Sequence, residues 1–407
     1  MGADDTSNEF EYKPRPVKAI LKEMKNLSEL MIDLAYYSAL YGDVQLAEEV
    51  FKLEKRIDFL QMLLSMQAAL ATRSRSAAEK IVSIYAIATA ANRVSDAAAD
   101  IARMTVKKIK IPRDFALTVY GEEDFVATIK VPKELNGKSL AELFSETGVV
   151  VDVLIARRGT KIYLEPPENF RLRSGDILVV RGTFSNVRQF SKYFGVNITD
   201  REEVLEKKYK PIVNMLLSFK RISRVCVDLA YVAVLTRSED IAKKVQELEE
   251  YTDLLLDQVS EEIFREKDLT LKERLGGLWI AIASEDIADA AAEMVEPLLK
   301  GLEPHPLLTD IIGKADERIS VIEIDEKDHG RTLNQLKYSE KGIKILAVKR
   351  RDEWYVLPRE DFEVCKGDIL IIKYSAELEP LVEQLEHEED REEIIEEIQE
   401  AEWEEEE

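Results

Sequence analysis

Four short stretches of this chain recur in order, and that repetition constrains the fold more than any other feature. Asp33-Leu34-Ala35-Tyr36 returns as Asp228-Leu229-Ala230-Tyr231, an offset of 195 residues, and Glu54 and Asp58 fall on Glu249 and Asp253 at the same offset. Asp96–Asp100 matches Asp289–Glu293 at 193, and Ser174–Leu178 matches Lys366–Leu370 at 192. Ordered matches with a slow drift mean a tandem duplication. The 407 residues are therefore two copies of one unit, and each copy must be read as its own folding problem.

Each unit has two unlike halves. Apolar residues three and four apart predict helices over Val17–Tyr41, Asp43–Leu70 and Ser74–Val106, and again over Val204–Leu235, Ser238–Phe264 and Leu269–Val295. Gly42-Asp43 and Thr236–Ser238 supply turn and cap chemistry, while Pro297, Pro304 and Pro306 are expected to stop the last helix. Short loops favour antiparallel neighbours, so three-helix bundles follow. The period then changes to two. Strands are expected at Phe125–Val131, Val149–Ala156, Lys161–Leu164 and Ile177–Arg181, with a short helix at Ser139–Glu146. Their counterparts are Ile319–Ile324, Ile343–Lys349, Glu353–Leu357, Ile369–Tyr374 and the helix Thr332–Ser339.

The implied order is an N-terminal extension (1–16), bundle (17–110), α/β module (114–198), bundle (202–303), α/β module (308–385) and acidic tail (386–407). The tail alone carries −13 of the −23 net charge, which leaves −10 for the rest. It reads as a solvating extension. The overall acidity argues against a nucleic-acid partner. The longest apolar runs fall short of a membrane span, and the N-terminus lacks the regions of a secretory signal, so a cytoplasmic location is expected. Cys226 and Cys365 match neither a zinc nor a redox spacing and read as core residues. No nucleophile–base pair or phosphate-cradling loop stands out, so no enzyme is expected.

Two motif sets carry a family resemblance. The helical halves, with Glu/Asp-x-x-x-Asp pairs, resemble PhoU-type three-helix repeats. The α/β halves resemble the C-terminal ligand domain of TrkA-type potassium regulators (RCK-C). The residues that carry the second resemblance are Gly137–Leu140, Val153–Arg158, Pro167 and Gly175-Asp176. They return as Gly330–Leu333, Ile345–Arg350, Pro358 and Gly367-Asp368. The fold class is thus multidomain, α and α+β, with two PhoU-like bundles alternating with two small RCK-C-type modules. The dinucleotide-binding domain usual in such regulators has no Gly-x-Gly-x-x-Gly counterpart here, so control by NAD or ATP is not expected.

Carboxylates four apart share a helix face and suit a hard cation. The candidates are Glu54, Asp58, Asp96 and Asp100 in unit one, and Glu249, Asp253, Glu285, Asp289 and Glu293 in unit two. The PhoU resemblance implies divalent-metal or iron sites there. Asn92 stands where unit two has Glu285, so unit one has lost a carboxylate; Arg56 and Arg93 are neighbours able to neutralise the rest. Asp33 and Asp228, within apolar stretches, read as buried and paired. The RCK-C resemblance implies a small anionic ligand, such as a cyclic dinucleotide, between paired modules. The matching side chains are Arg157, Arg158, Ile162, Lys349, Arg350 and Val356, and the guanidinium groups of the three arginines suit phosphate. A basic strand edge that only blocks aggregation would look the same.

The sequence therefore points to a regulatory subunit of a cation transport system, by resemblance a potassium system. Its partners would be a membrane channel or transporter subunit and a small ligand. The chain would fold as an intramolecular pseudo-dimer with its modules in contact, and a homo-oligomer is a further expectation. The alternatives are a PhoU-like metal-binding regulator of phosphate uptake or signalling, and a scaffold without ligand.

Overall fold

The computed structural model describes residues 13–109, 111, 125–149, 151–198, 210–305, 308, 317–351, 353–375 and 378–383. The acidic tail lies outside them, as does most of the expected N-terminal extension. Three helices come first: α1 (Val17–Tyr41), α2 (Val44–Ala71) and α3 (Arg75–Val106). The first module holds β1 (Phe125–Lys130), α4 (Leu140–Thr147), β2 (Asp152–Arg158), β3 (Lys161–Leu164), β4 (Ile177–Gly182) and α5 (Phe184–Tyr193). The second bundle is α6 (Lys210–Thr236), α7 (Glu239–Arg265) and α8 (Leu271–Leu299). The second module follows with β5 (Glu317–Glu323), α9 (Leu333–Leu336), β6 (Lys344–Arg350), β7 (Glu353–Val356), β8 (Ile369–Ser375) and α10 (Glu379–Glu383).

The helix periodicity converts directly into burial. Leu46, Val50, Leu53, Ile57, Leu60 and Leu64 of α2 are all buried, and each contributes about 1.5–3 kcal/mol. The first hairpin turns on Gly42, whose φ of 67° is open to glycine, and Asp43 accepts from the Leu46 N–H to cap α2. At the equivalent turn Ser238 accepts from the Ile241 N–H, but Arg237 takes the left-handed position, with φ of 55°. The helix ending at α8 departs from expectation. Pro297 lies inside it, because a missing N–H in the last turn forfeits one bond only, and the end is closed by Leu302 N–H to the Pro297 carbonyl.

Both sheets are antiparallel, in the orders β1-β4-β2-β3 and β5-β8-β6-β7. Each carries an irregularity at the same place, between Val153 and Ile155 and between Ile345 and Ala347. Capping boxes open α4 (Ser139 with Glu142) and α9 (Thr332 with Gln335). Helix α5 was not expected from the sequence. Only Val187 and Phe190 of it are fully buried apolar residues, too few to set a helical period by themselves.

The bundles join through α3 against α8; α1 meets the modules through Arg181 to Asp33 and Lys373 to Glu29, and α6 meets the second module through Lys373 to Asp228. The hydroxyls of Tyr36 and Ser284 are bonded across the seam at 2.6 Å. An internal two-fold relation is visible in paired contacts: Lys25 lies over the Tyr231 ring, and Lys220 over the Tyr36 ring. No helix among the described residues is long and apolar enough to cross a membrane.

Candidate functional site

The four basic side chains singled out from the sequence all meet internal acids. Arg158 donates to Asp176 through Nε (2.9 Å) and Nη2 (2.7 Å), and Arg350 donates to Asp368 in the same way at 2.8 and 2.7 Å. The Arg173 and Cys365 N–H groups complete these clamps. Burial alone would raise Asp176, but Arg158 and the Arg173 amide hold its carboxyl below the usual range. The paired Asp368 keeps the Arg350 guanidinium strongly protonated. The Gly-Asp dipeptides thus fasten the end of each sheet. Arg157 instead reaches Asp43 at 2.7 Å and Lys349 reaches Asp240 at 3.5 Å, so each ties its module to the start of α2 or α7. Ile162 and Val356 are half-buried against the core.

The modules border a shared cavity of about 120 Å³ that the sequence reading did not locate. Val151, Asp152, Arg181 and Asn186 line it from the first module, and Ile343, Lys344, Glu360, Lys373 and Tyr374 from the second. Arg224 and Asp228 of α6 line it as well. Arg181 donates to Asp33 at 2.5 Å and to Asp152 at 2.7 Å, while Arg224 donates to the same Asp33 at 2.9 Å. At the related position Lys373 donates to Asp228 at 2.7 Å and reaches Glu29 at 3.3 Å, and Glu29 pairs with Lys25 at 2.7 Å. Asp33 and Asp228 are therefore buried and paired, as the apolar stretches around them imply. One Asp228 oxygen, Oδ2, is buried without a hydrogen-bond partner among the described residues. The signal for this site was a basic residue inside a buried strand, Arg181 in β4 and Lys373 in β8.

The acid pairs separate into two unlike groups. In unit two, ligand oxygens of Glu249, Asp253 and Asp289 lie within 4.8 Å of one another. Glu285 sits beside them. Desolvation, reinforced by Asp253 and Asp289, pushes Glu249 up to about 7; desolvation with Asp289 and Asp286 pushes Glu285 up to about 8. Convergent carboxylates that resist ionisation together are the kind of donor set that suits a hard divalent cation, and Glu249, Asp253 and Asp289 are the residues that could hold one. Glu293 is held at 2.5 Å by Arg93, which also reaches Asp289 at 3.4 Å.

In unit one a protein cation occupies the corresponding place. Arg103 pairs with Asp100 and stands 3.9 Å from Glu54, and the Asn92 amide donates to Asp96 at 3.3 Å. Desolvation and then Asp58 raise Asp96 above its usual value, and desolvation raises Glu54. Among the described residues these acids do not gather as closely as those of unit two. Arg56, expected nearby, pairs with Glu23 at 2.8 Å instead.

A PhoU domain model matches residues 21–105, and a TrkA-C domain model matches residues 125–195 and 319–383. The chain carries a PhoU domain and two TrkA-C domains. Their tandem arrangement is one found in cation-transport regulators, and both domains are non-catalytic regulatory folds. No curated protein matches the chain. Among solved structures, PhoU from Pseudomonas aeruginosa aligns at 16% identity over 70% of this chain and 96% of that one, with a TM-score of 0.39. The phosphate transport system regulatory protein PhoU from Streptococcus pneumoniae aligns at 14%, over 70% and 91%, with a TM-score of 0.36. The GsuK RCK domain aligns at 12%, over 65% and 63%, with a TM-score of 0.17. At these scores the alignments say nothing about function.

Proposed function

We propose that this tandem PhoU/TrkA-C protein is a regulatory subunit of a cation transport system, by resemblance a potassium system, whose paired modules sense a small anion. The observation that carries the reading is the cavity bordered by both modules and by α6. Four cations line it, Arg181, Arg224, Lys344 and Lys373; Asp33, Asp228 and Glu29 hold three of them while the modules are closed, and parting the modules would turn them towards an anion. A volume of about 120 Å³ lies well below what a drug-sized ligand fills, so a cyclic dinucleotide requires the modules to part. That requirement supplies a mechanism. A ligand that prefers the parted arrangement pulls Arg181 and Lys373 away from Asp33 and Asp228, and the bundles inherit the change. A membrane channel or transporter subunit that contacts the bundles would then respond.

Capture of the tagged protein from cells solubilised in mild detergent tests the reading, with partners identified by mass spectrometry. Enrichment of a cation channel or symporter is the expected result; phosphate-transport components alone would overturn it. Titration with a cyclic dinucleotide, followed by calorimetry on the wild type and on Lys373→Ala, tests the ligand separately. The acid group of unit two favours the second reading, a metal-bearing regulator of phosphate uptake or signalling. Metal analysis of the purified protein, with and without Glu249→Gln, addresses that alternative.

A further inference from the structure

Asp289 belongs to two groupings at once. Its carboxylate lies with those of Glu249 and Asp253, ligand oxygens within 4.8 Å of one another, and it also meets Arg93, which comes across the seam from α3 of the first bundle. Among the described residues no other cation pairs with Glu249, Asp253 or Asp289. Arg93 is not divided evenly between its acids. Its Nη1 meets Glu293 at 2.5 Å, whereas its Nη2 stands 3.4 Å from Asp289 Oδ2, which is long for a hydrogen bond. Asp286 is a third acid within its influence: burial raises that carboxyl, and Arg93 works against the rise. At the repeat offset of 193 Arg93 answers to Asp286 itself, so a base and an acid stand at equivalent positions on the two helices of the seam.

We propose that Arg93 competes with a divalent cation for Asp289, so that loading of the unit-two acids is felt in the first bundle. The inference rests on the metal-bearing reading of those acids and names what regulates them. Glu249 and Asp253 alone do not fill a hard ion's oxygen shell, so Asp289 is needed as well. Arg93 can yield it, because Glu293 keeps the guanidinium paired. A contact of 3.4 Å is too long to fix the orientation of Asp289. Repulsion between guanidinium and dication therefore decides the sign, and Arg93 weakens loading. The site is thereby set to fill and empty, and each filling releases one link between α3 and α8.

The test is calorimetric titration of the full chain, stripped with chelator, with manganese(II), a cation that oxygen ligands suit. Arg93→Met should bind manganese about tenfold more tightly than the wild type. The double variant Arg93→Met/Glu293→Gln restores the local charge but still releases Asp289, so it too should bind more tightly than the wild type. Glu249→Gln should lose most of the binding. Hydrogen exchange gives a second readout: manganese should alter exchange in α3 around Arg93 in the wild type and leave it unchanged in Arg93→Met. Equal or weaker binding by Arg93→Met overturns the proposal and leaves the metal reading standing. So does a double variant no tighter than the wild type, and so does exchange in α3 that ignores manganese. Manganese that binds none of these proteins, or binds regardless of Glu249→Gln, overturns the metal reading and this inference with it.

Discussion

Arg224 of the second bundle donates to Asp33 of the first at 2.9 Å, beside Arg181 of the first module. One carboxylate therefore holds together three pieces of the chain, and its side chain is only 6% exposed. At the related place in the other unit, Asp228 takes a single lysine, Lys373, which also has Glu29. Asp33→Asn leaves two buried guanidinium groups facing a neutral amide and should destabilise the chain by about 3–5 kcal/mol. Asp228→Asn should cost less, because Glu29 stays within reach of Lys373. Denaturant midpoints of the two variants, measured side by side, check the order; equal losses would mean that the two networks are not the unequal pair described here.

Arg158 and Arg350 occupy the positions that the family resemblance marks for ligand, yet each is committed to a sheet-end aspartate. The side chain of Asp368 is 1% exposed, so Arg350→Ala strands a buried charge and should destabilise the second module by about 3 kcal/mol. Arg350→Lys should recover only part of that loss, since an ammonium cannot reproduce the two-point geometry. Thermal unfolding without any added ligand separates this from a ligand role, which would leave the apo protein unchanged.

The fold was legible because duplication and periodicity act locally. Val17–Tyr41 is a helix and Lys161–Leu164 a strand at the residues that the pattern alone assigns. The site was less so. That Asp33 is buried and paired follows from its apolar neighbours, but that its partners are Arg181 and Arg224, 148 and 191 residues away, depends on how the two copies pack. Position 29 illustrates the difficulty, for Glu29 in the first unit answers to Arg224 in the second at the repeat offset of 195. Arg103 was missed for a similar reason. A carboxylate pair advertises a cation, and only the packed helices reveal that the protein supplies its own.

Glu249 and Glu285 predict a pH dependence opposite to that of a salt-bridged acid. Their folded values, about 7 and about 8, lie above the ordinary 4.5, so the folded chain retains protons that the unfolded chain releases. Stability should be greatest below about 4.5 as far as these groups are concerned, decline as pH rises towards 7 and 8, and level off above. A divalent cation neutralises the group and should abolish the decline. Melting temperatures from pH 5 to 9, with manganese or with chelator, check this. Glu285→Gln should flatten the chelator curve and weaken the metal-induced rise, whereas Asp96→Asn in unit one should leave that rise intact.

The two hairpin turns offer a test of the duplication itself. Gly42 and Arg237 stand at the same position, with φ of 67° and 55°, and the residues after them donate equivalent bonds, Asp43 to Ser38 and Ser238 to Ala233, both at 3.0 Å. The backbone demand is therefore the same in both units, but only one of them meets it with the residue that left-handed geometry favours. A side chain there costs about 1 kcal/mol through the clash of Cβ with the backbone. Arg237→Gly should remove that cost and stabilise the chain by about 0.5–1 kcal/mol, the entropy of the unfolded glycine taking back part of the gain. Gly42→Arg should produce a loss of similar size. Urea unfolding of both variants checks the pair, and a destabilised Arg237→Gly would mean that the arginine makes a contact worth more than the strain it bears.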